Sequence, residues 1–380
     1  MTAVDNRIQV NDTVRADSEL LEVDLAVFLA KLTVSASHVA GAANGPRELD
    51  SALRQAFHGP VADALGSKVG QQALRPAGGP GFRPSISYWV FRNYRGFTNS
   101  GEAAADLPVI RRVAVAVRIL LKAAVVLDDI EDGSPVRYGE PALHAVHGVP
   151  LALNTGAWMV LAALRHTETP AVVSYLVQAV ENGFIGQAVD MSTRLAEIRR
   201  DIVAAKAQDR LTFWESVATL KTSTLFRMPL NAAAIALRVP DDELAELDDA
   251  MRQLGLARQI FNDLTDFVPE FGGASTYEDF DGLTNRVSLE LLGAESALPD
   301  LATDLIGDRL KTFTLGHCGL GATLSELAEQ AVDLEEQAKN RIHQLCRSAE
   351  SAAYFDLTID RKGHLMERLR DAVRAERPTE

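Results

Sequence analysis

The chain has 380 residues, 47% of them hydrophobic and 24% charged, which is ample for a large core. A formal net charge of −14 argues against nucleic-acid binding, which needs a basic face. Only two cysteines occur, Cys318 and Cys346, without metal-type spacing. They suit a reducing, cytoplasmic compartment better than a disulfide scaffold.

In chain order, Met1 to Glu19 is polar and acidic, unlike a secretory signal, and is expected to be a flexible tail. Residues 20 to 376 are expected to form one helical domain. Apolar residues recur every three to four positions in Leu20 to Ala40, Leu49 to Leu65, Ala103 to Asp132 and Pro170 to Ile198. The same recurrence marks Leu211 to Leu237, Asp241 to Phe267, Ala322 to Ser348 and Asp360 to Arg374. Breakers fall at Gly78-Gly79-Pro80-Gly81, Gly133-Ser134-Pro135, Gly148-Val149-Pro150 and Gly272-Gly273. No apolar run reaches the roughly eighteen residues of a membrane span. There is no βαβ pattern and no repeat, so the architecture reads as all-α, with ligand sites built between facing helices.

Two acidic clusters close long apolar helices. In Asp128-Asp129-Ile130-Glu131-Asp132, the carboxylates of Asp128 and Asp132 stand one turn apart on one face. Acids at a helix C-terminus oppose the macrodipole, so something must compensate them. Mg2+ is the natural candidate, since it takes one or two carboxylates, waters and substrate phosphate oxygens. A solvated helix end is the plain alternative for this cluster alone. The second cluster, Asn262-Asp263-Leu264-Thr265-Asp266, repeats the spacing with Asn262 and Asp266. Two such ends can hold metals between them and turn a bridged diphosphate into a good leaving group.

The stretch VVLDDIEDGSPVRYGEPALHAVHGVPLALN, Val125 to Asn154, resembles the first aspartate-rich motif of trans-isoprenyl diphosphate synthases, close to the geranylgeranyl diphosphate synthase version. Gly186-Gln187-Ala188-Val189-Asp190 resembles the family's GQxxD, Lys221-Thr222 its KT pair, and QIFNDLTDF its second aspartate-rich motif. All four occur in family order between Phe82 and Leu292. The resemblance implies a single-domain isoprenoid synthase (class I terpenoid synthase) helical bundle with a central cavity, a homodimer, and an allylic isoprenyl diphosphate substrate. It also implies a trio of Mg2+ ions on Asp128, Asp132, Asn262 and Asp266, with Asp129 and Asp190 in support; Glu270 joins the metal set only through the cyclase resemblance given below. By the same resemblance, Arg83, Arg137, Gln187, Lys221 and Arg286 contact diphosphate. Arg286 stands where the family has Lys of a GK pair, and its planar fork suits phosphate.

Three departures bear on the reaction. The family's GGKxxRP is Gly78-Gly79-Pro80-Gly81-Phe82-Arg83-Pro84 here, its double Arg is Arg137-Tyr138, and its His or Gln seven residues before Asp128 is Leu121. These positions normally hold the diphosphate of the isopentenyl acceptor. Each charge-assisted hydrogen bond is worth about 1.5–3 kcal/mol, and about 1.4 kcal/mol is tenfold. Losing three predicts acceptor binding weaker by several orders of magnitude, although Lys122 or another cation could substitute. Asn262, Asp266 and Glu270 also resemble the NDxxSxxxE motif of class I terpene cyclases, with Pro269 working against a continuous helix to Glu270.

The expected activity is therefore cyclisation of the ionised substrate in a dry pocket lined by aromatic faces. Phe184, Trp214, Phe226 and Phe261 are candidate liners, plain core being the commoner role of such residues. Ala123 and Ala124, just before Asp128, imply room for geranylgeranyl diphosphate or longer, or else close helix packing. The alternatives are chain elongation, transfer to a different acceptor, and a non-enzymatic regulatory partner of a synthase.

Overall fold

A computed structural model describes residues 3–39, 47–66, 82–137, 140–268, 283–292, 306–359 and 365–375. Among them the backbone is almost wholly helical. In chain order the helices are α1 (Ala3–Val39), α2 (Arg47–Leu53), α3 (Gly59–Gly66), α4 (Phe82–Arg95), α5 (Glu102–Glu131), α6 (Leu143–His147), α7 (Val149–Thr167) and α8 (Pro170–Ser192). They continue as α9 (Ala196–Ala204), α10 (Ala207–Ala218), α11 (Thr224–Leu237), α12 (Asp241–Thr265), α13 (Arg286–Leu291), α14 (Ile306–Gly316), α15 (Leu320–Gln344), α16 (Ala349–Ile359) and α17 (Leu365–Ala375). π-Helical turns lie at Arg54–His58 and Thr219–Ser223. A two-stranded antiparallel hairpin, β1 (Val136–Arg137) with β2 (Glu140–Pro141), follows α5.

The chain divides into two compact units, one of Met1–Val177, Met228–Leu244 and Cys346–Lys362, the other of Gln178–Arg227, Ala245–Leu345 and Gly363–Glu380. In the first, α5 is apolar all round from Val113 to Val117 and correspondingly buried all round. Helix α4 adds Tyr88, Trp89 and Phe91, and the Trp89 indole donates to the Ser351 carbonyl of α16 at 3.0 Å. The second unit has its own core, including Ala257, Ile260, Leu264, Leu289, Leu310 and Leu369.

The expected flexible tail is corrected for residues 3–19, which form the first half of α1. Val10, Val14, Leu21, Leu25 and Phe28 make one narrow buried stripe, and Asp17 fills the gap in its middle. That buried carboxylate accepts from Arg92 Nη2 at 2.5 Å, Arg92 Nε at 3.0 Å and the Tyr354 hydroxyl at 3.1 Å. A charged residue in the stripe hides the helix from a hydrophobic pattern. Two further expectations change. Pro170 to Ile198 is two helices, α8 and α9, and Leu211 to Leu237 is broken by the π turn. Helix α7 had been hidden by Pro150, read as a breaker, but proline is tolerated in a first turn.

Truncating Asp17 to Ala strands the buried Arg92 charge, so Asp17→Ala is expected to cost about 3–5 kcal/mol in denaturant unfolding. The exposed Asp12→Ala should stay within about 0.5 kcal/mol of wild type. Equal stability of the two variants would show that α1 is not docked through this pair.

Candidate functional site

In the first unit, α5 runs to Glu131, and Gly133 stops it. The turn is closed by Asp132 N–H donating to the Asp128 carbonyl (2.8 Å) and Ser134 N–H to that of Asp129 (2.9 Å). Asp128 is half-buried, Asp129 buried and Asp132 exposed. The hairpin folds Arg137 back onto the helix end. Its Nη2 donates to Asp128 Oδ2 at 2.5 Å, and its Nε donates to Asp129 Oδ1. Burial raises the pKa of Asp129, with Arg137 opposing the rise. Burial also works against the Arg137 charge, but the Asp128 and Asp129 carboxylates outweigh it and keep the guanidinium protonated. Compensation of the acidic helix end, assigned from sequence to Mg2+, is thus supplied in part by Arg137. Ala123 is wholly buried, as close helix packing requires, while Ala124 keeps some exposure. Leu121 is half-buried.

In the second unit, α12 ends with Asn262 exposed and Asp266 half-buried, one turn apart. Asp263 between them is buried and accepts from Gln259 Nε2 (2.7 Å), Trp214 Nε1 (2.8 Å) and the Arg286 N–H (2.8 Å). Burial pushes its pKa up to about 7. The Arg286 amide works against the rise, the Asp266 charge adds to it, and the Trp214 and Gln259 donors oppose it. Asn285 reaches the same helix end, donating from Nδ2 to the Asp263 carbonyl (3.0 Å) and to Asp266 Oδ2 (2.9 Å). Sequence reasoning passed over Asp263 and Asn285. An Asn just before the apolar α13 was a readable N-cap signal.

The KT pair sits on the π turn at Thr219–Ser223, and such turns recur at functional sites. Two glycines let neighbouring helices close on it. A Cβ at Gly186 of α8 would meet Lys221 Cγ at 2.9 Å, and one at Gly255 of α12 would meet Ser223 Cα at 2.5 Å. So held, Lys221 pairs with Asp190, and Thr222 donates to Gln259, which links the turn to Asp263. Gln187 is buried nearby in sequence, three residues before Asp190.

Other expectations are placed differently. One face of Trp214 carries the Arg286 guanidinium, 5.0 Å from the ring centroid, and Arg286 also donates to Glu290 (2.7 and 3.0 Å). Phe226 and Phe261 are buried. Phe184 is 48% exposed, so it is not part of the core. Glu270, Pro80, Tyr138 and the Arg83 side chain lie outside the described residues.

The donor sets suit a hard divalent cation. Each helix end offers oxygen ligands one turn apart, Asp128 with Asp132 and Asn262 with Asp266. Among the described residues no three acidic, His or Cys side chains gather into a closed cage.

The polyprenyl synthetase family model matches residues 68–280. The chain is 29% identical over 196 residues to a variediene synthase of Aspergillus brasiliensis, covering 50% of this chain and 26% of that protein. It is 29% identical over 204 residues to a short chain isoprenyl diphosphate synthase of Methanothermobacter thermautotrophicus, covering 52% of this chain and 57% of that one. The chain therefore spans less than two thirds of the length of these curated relatives. A solved geranylgeranyl pyrophosphate synthase shares the fold with a TM-score of 0.58 and 21% identity, over 88% of this chain and 97% of that one. A polyprenyl synthase from Caulobacter crescentus, solved with calcium and isoprenyl diphosphate, gives a TM-score of 0.58 and 17% identity, over 93% of this chain and 97% of that one. With an all-α isoprenoid synthase fold and a family match across more than half its length, the chain belongs to the polyprenyl synthetase family.

Proposed function

We propose that this protein ionises an allylic isoprenyl diphosphate, of geranylgeranyl length or longer, with a trio of Mg2+ ions and cyclises the resulting cation. Asp128, Asp132, Asn262 and Asp266 are the proposed metal ligands, with Glu270 as a further candidate. Bound Mg2+ would neutralise charge developing on the leaving diphosphate. Lys221, Arg137 and Arg286 would add charge-assisted hydrogen bonds to its oxygens, with Gln187 in support, while Arg83 is the one acceptor-site cation that survives in the sequence. The carbon–oxygen bond breaks with its electron pair leaving on diphosphate. The cation is then attacked by the substrate's own double bonds, and the released diphosphate takes the final proton. Residues 20 to 376 would act as one functional domain in the cytoplasm.

The observation that carries this reading is selective. Oxygen donors stand at both helix ends, whereas Pro80, Tyr138 and Leu121 replace three acceptor contacts. The matched relatives carry both kinds of name, terpene synthase and diphosphate synthase, so the choice rests on these residues. Chain elongation is the second reading, favoured by the names of the structural neighbours. A scaffold that merely regulated a synthase would not need both donor sets.

Asp128→Ala and Asn262→Ala should each cut diphosphate release from geranylgeranyl diphosphate by about a hundred- to a thousandfold, the scale of losing one preorganised group at developing charge. Thermal unfolding should stay near wild type. Wild-type turnover in either variant would overturn the metal assignment.

A homodimer belongs to the same proposal. Val149 (48%), Leu153 (50%) and Leu161 (67%) are exposed in an i±4 row along α7, the kind of ridge that packs into a neighbouring helix. Sedimentation velocity should give a dimer for wild type and a shift to monomer for Leu161→Lys. A monomeric wild type would contradict it.

A further inference from the structure

The second acidic motif has a support that comes from outside α12. Asn285, just before Arg286, makes three side-chain hydrogen bonds. Its Oδ1 accepts from Val287 N–H at 2.9 Å and caps α13. Its Nδ2 donates to the Asp263 carbonyl at 3.0 Å and to Asp266 Oδ2 at 2.9 Å. The residue is 5% exposed, so these bonds form out of water, where they orient more strongly than at a surface.

We infer that Asn285 is a positioning residue, holding the Asp266 carboxylate in the orientation that sets the motif's affinity for a divalent cation. Asp266 lies just past the last residue of α12, where helical hydrogen bonding no longer fixes the chain. Its carboxylate needs a fixed rotamer to serve as a ligand. Asn285 supplies one from a rigid base, because its own amide is fixed at both ends, by the capped N–H on one side and by the Asp263 carbonyl on the other. The Asp263 carboxylate accepts from the Arg286 N–H at 2.8 Å, so the backbone just after Asn285 is tied to α12 as well. Glycine could leave the cap nearly intact but has no atom to reach Asp266. Partners that orient a ligating group commonly alter metal affinity by about 10–100-fold when removed.

The inference rests on the metal reading above, and the test separates the two. Inorganic diphosphate is titrated calorimetrically into the full chain at a series of fixed MgCl2 concentrations, for wild type, Asn285→Ser and Asn285→Ala. Serine keeps a cap and loses the reach to Asp266; alanine loses both. Both variants should need about 10–100-fold more MgCl2 for half-maximal diphosphate uptake, whereas only Asn285→Ala should also lose thermal stability. An unchanged MgCl2 requirement in Asn285→Ser overturns the inference and leaves the metal reading standing, and so does a shift confined to the destabilised alanine variant. A wild type whose diphosphate uptake is independent of MgCl2, or absent, overturns the metal reading and the inference with it.

Discussion

Two long helices finish in carboxylates, against their own macrodipoles, and the arrangement of both motifs follows from how that repulsion is contained. Each motif uses the same device. Its central aspartate, Asp129 in one unit and Asp263 in the other, turns inward and is clamped by donors from its own unit. The flanking oxygens, of Asp128 and Asp132 and of Asn262 and Asp266, are left half-buried or exposed. An anchored inner acid thus fixes the backbone from which the outer donors are presented. Arg137 takes the anchoring part at α5; Gln259, Trp214 and the Arg286 amide share it at α12.

The π turn extends the same constraint. Its extra residue per turn swings Lys221 and Thr222 out of ordinary helical register. Gly186 and Gly255 then let α8 and α12 press against it without side chains in the way. The hydrogen bonds from Thr222 to Gln259 and from Gln259 to Asp263 make the KT pair and the second motif one connected structure. A change in either should be felt in the other, because buried polar networks strengthen or fail together.

Much of this was legible in the sequence, for identifiable reasons. The helix ends at Asp128 to Asp132 and at Asn262 to Asp266 were readable because the i, i+4 spacing of oxygen donors and the Gly133 stop are local signals. The helical class was readable from recurrence alone. Long-range partnerships were not. Nothing local says that Asp17 will be buried against Arg92, that Trp214 will bond Asp263, or that Arg286 will lie over an indole face. Asn285 was hidden for a related reason: its cap is a local signal, but its reach to Asp266 spans an intervening loop. Helix α7 was missed because proline in a first turn looks, in a linear pattern, like proline that ends a helix.

The central claim is that the chain keeps the machinery for ionisation and has lost the acceptor. It is tested most directly by incubating the protein with Mg2+ and geranylgeranyl diphosphate, with and without isopentenyl diphosphate, and identifying the products. A hydrocarbon or alcohol formed without isopentenyl diphosphate is the predicted result. A longer linear diphosphate, formed only when isopentenyl diphosphate is present, would contradict the claim and show that residues other than Pro80, Tyr138 and Leu121 hold the acceptor.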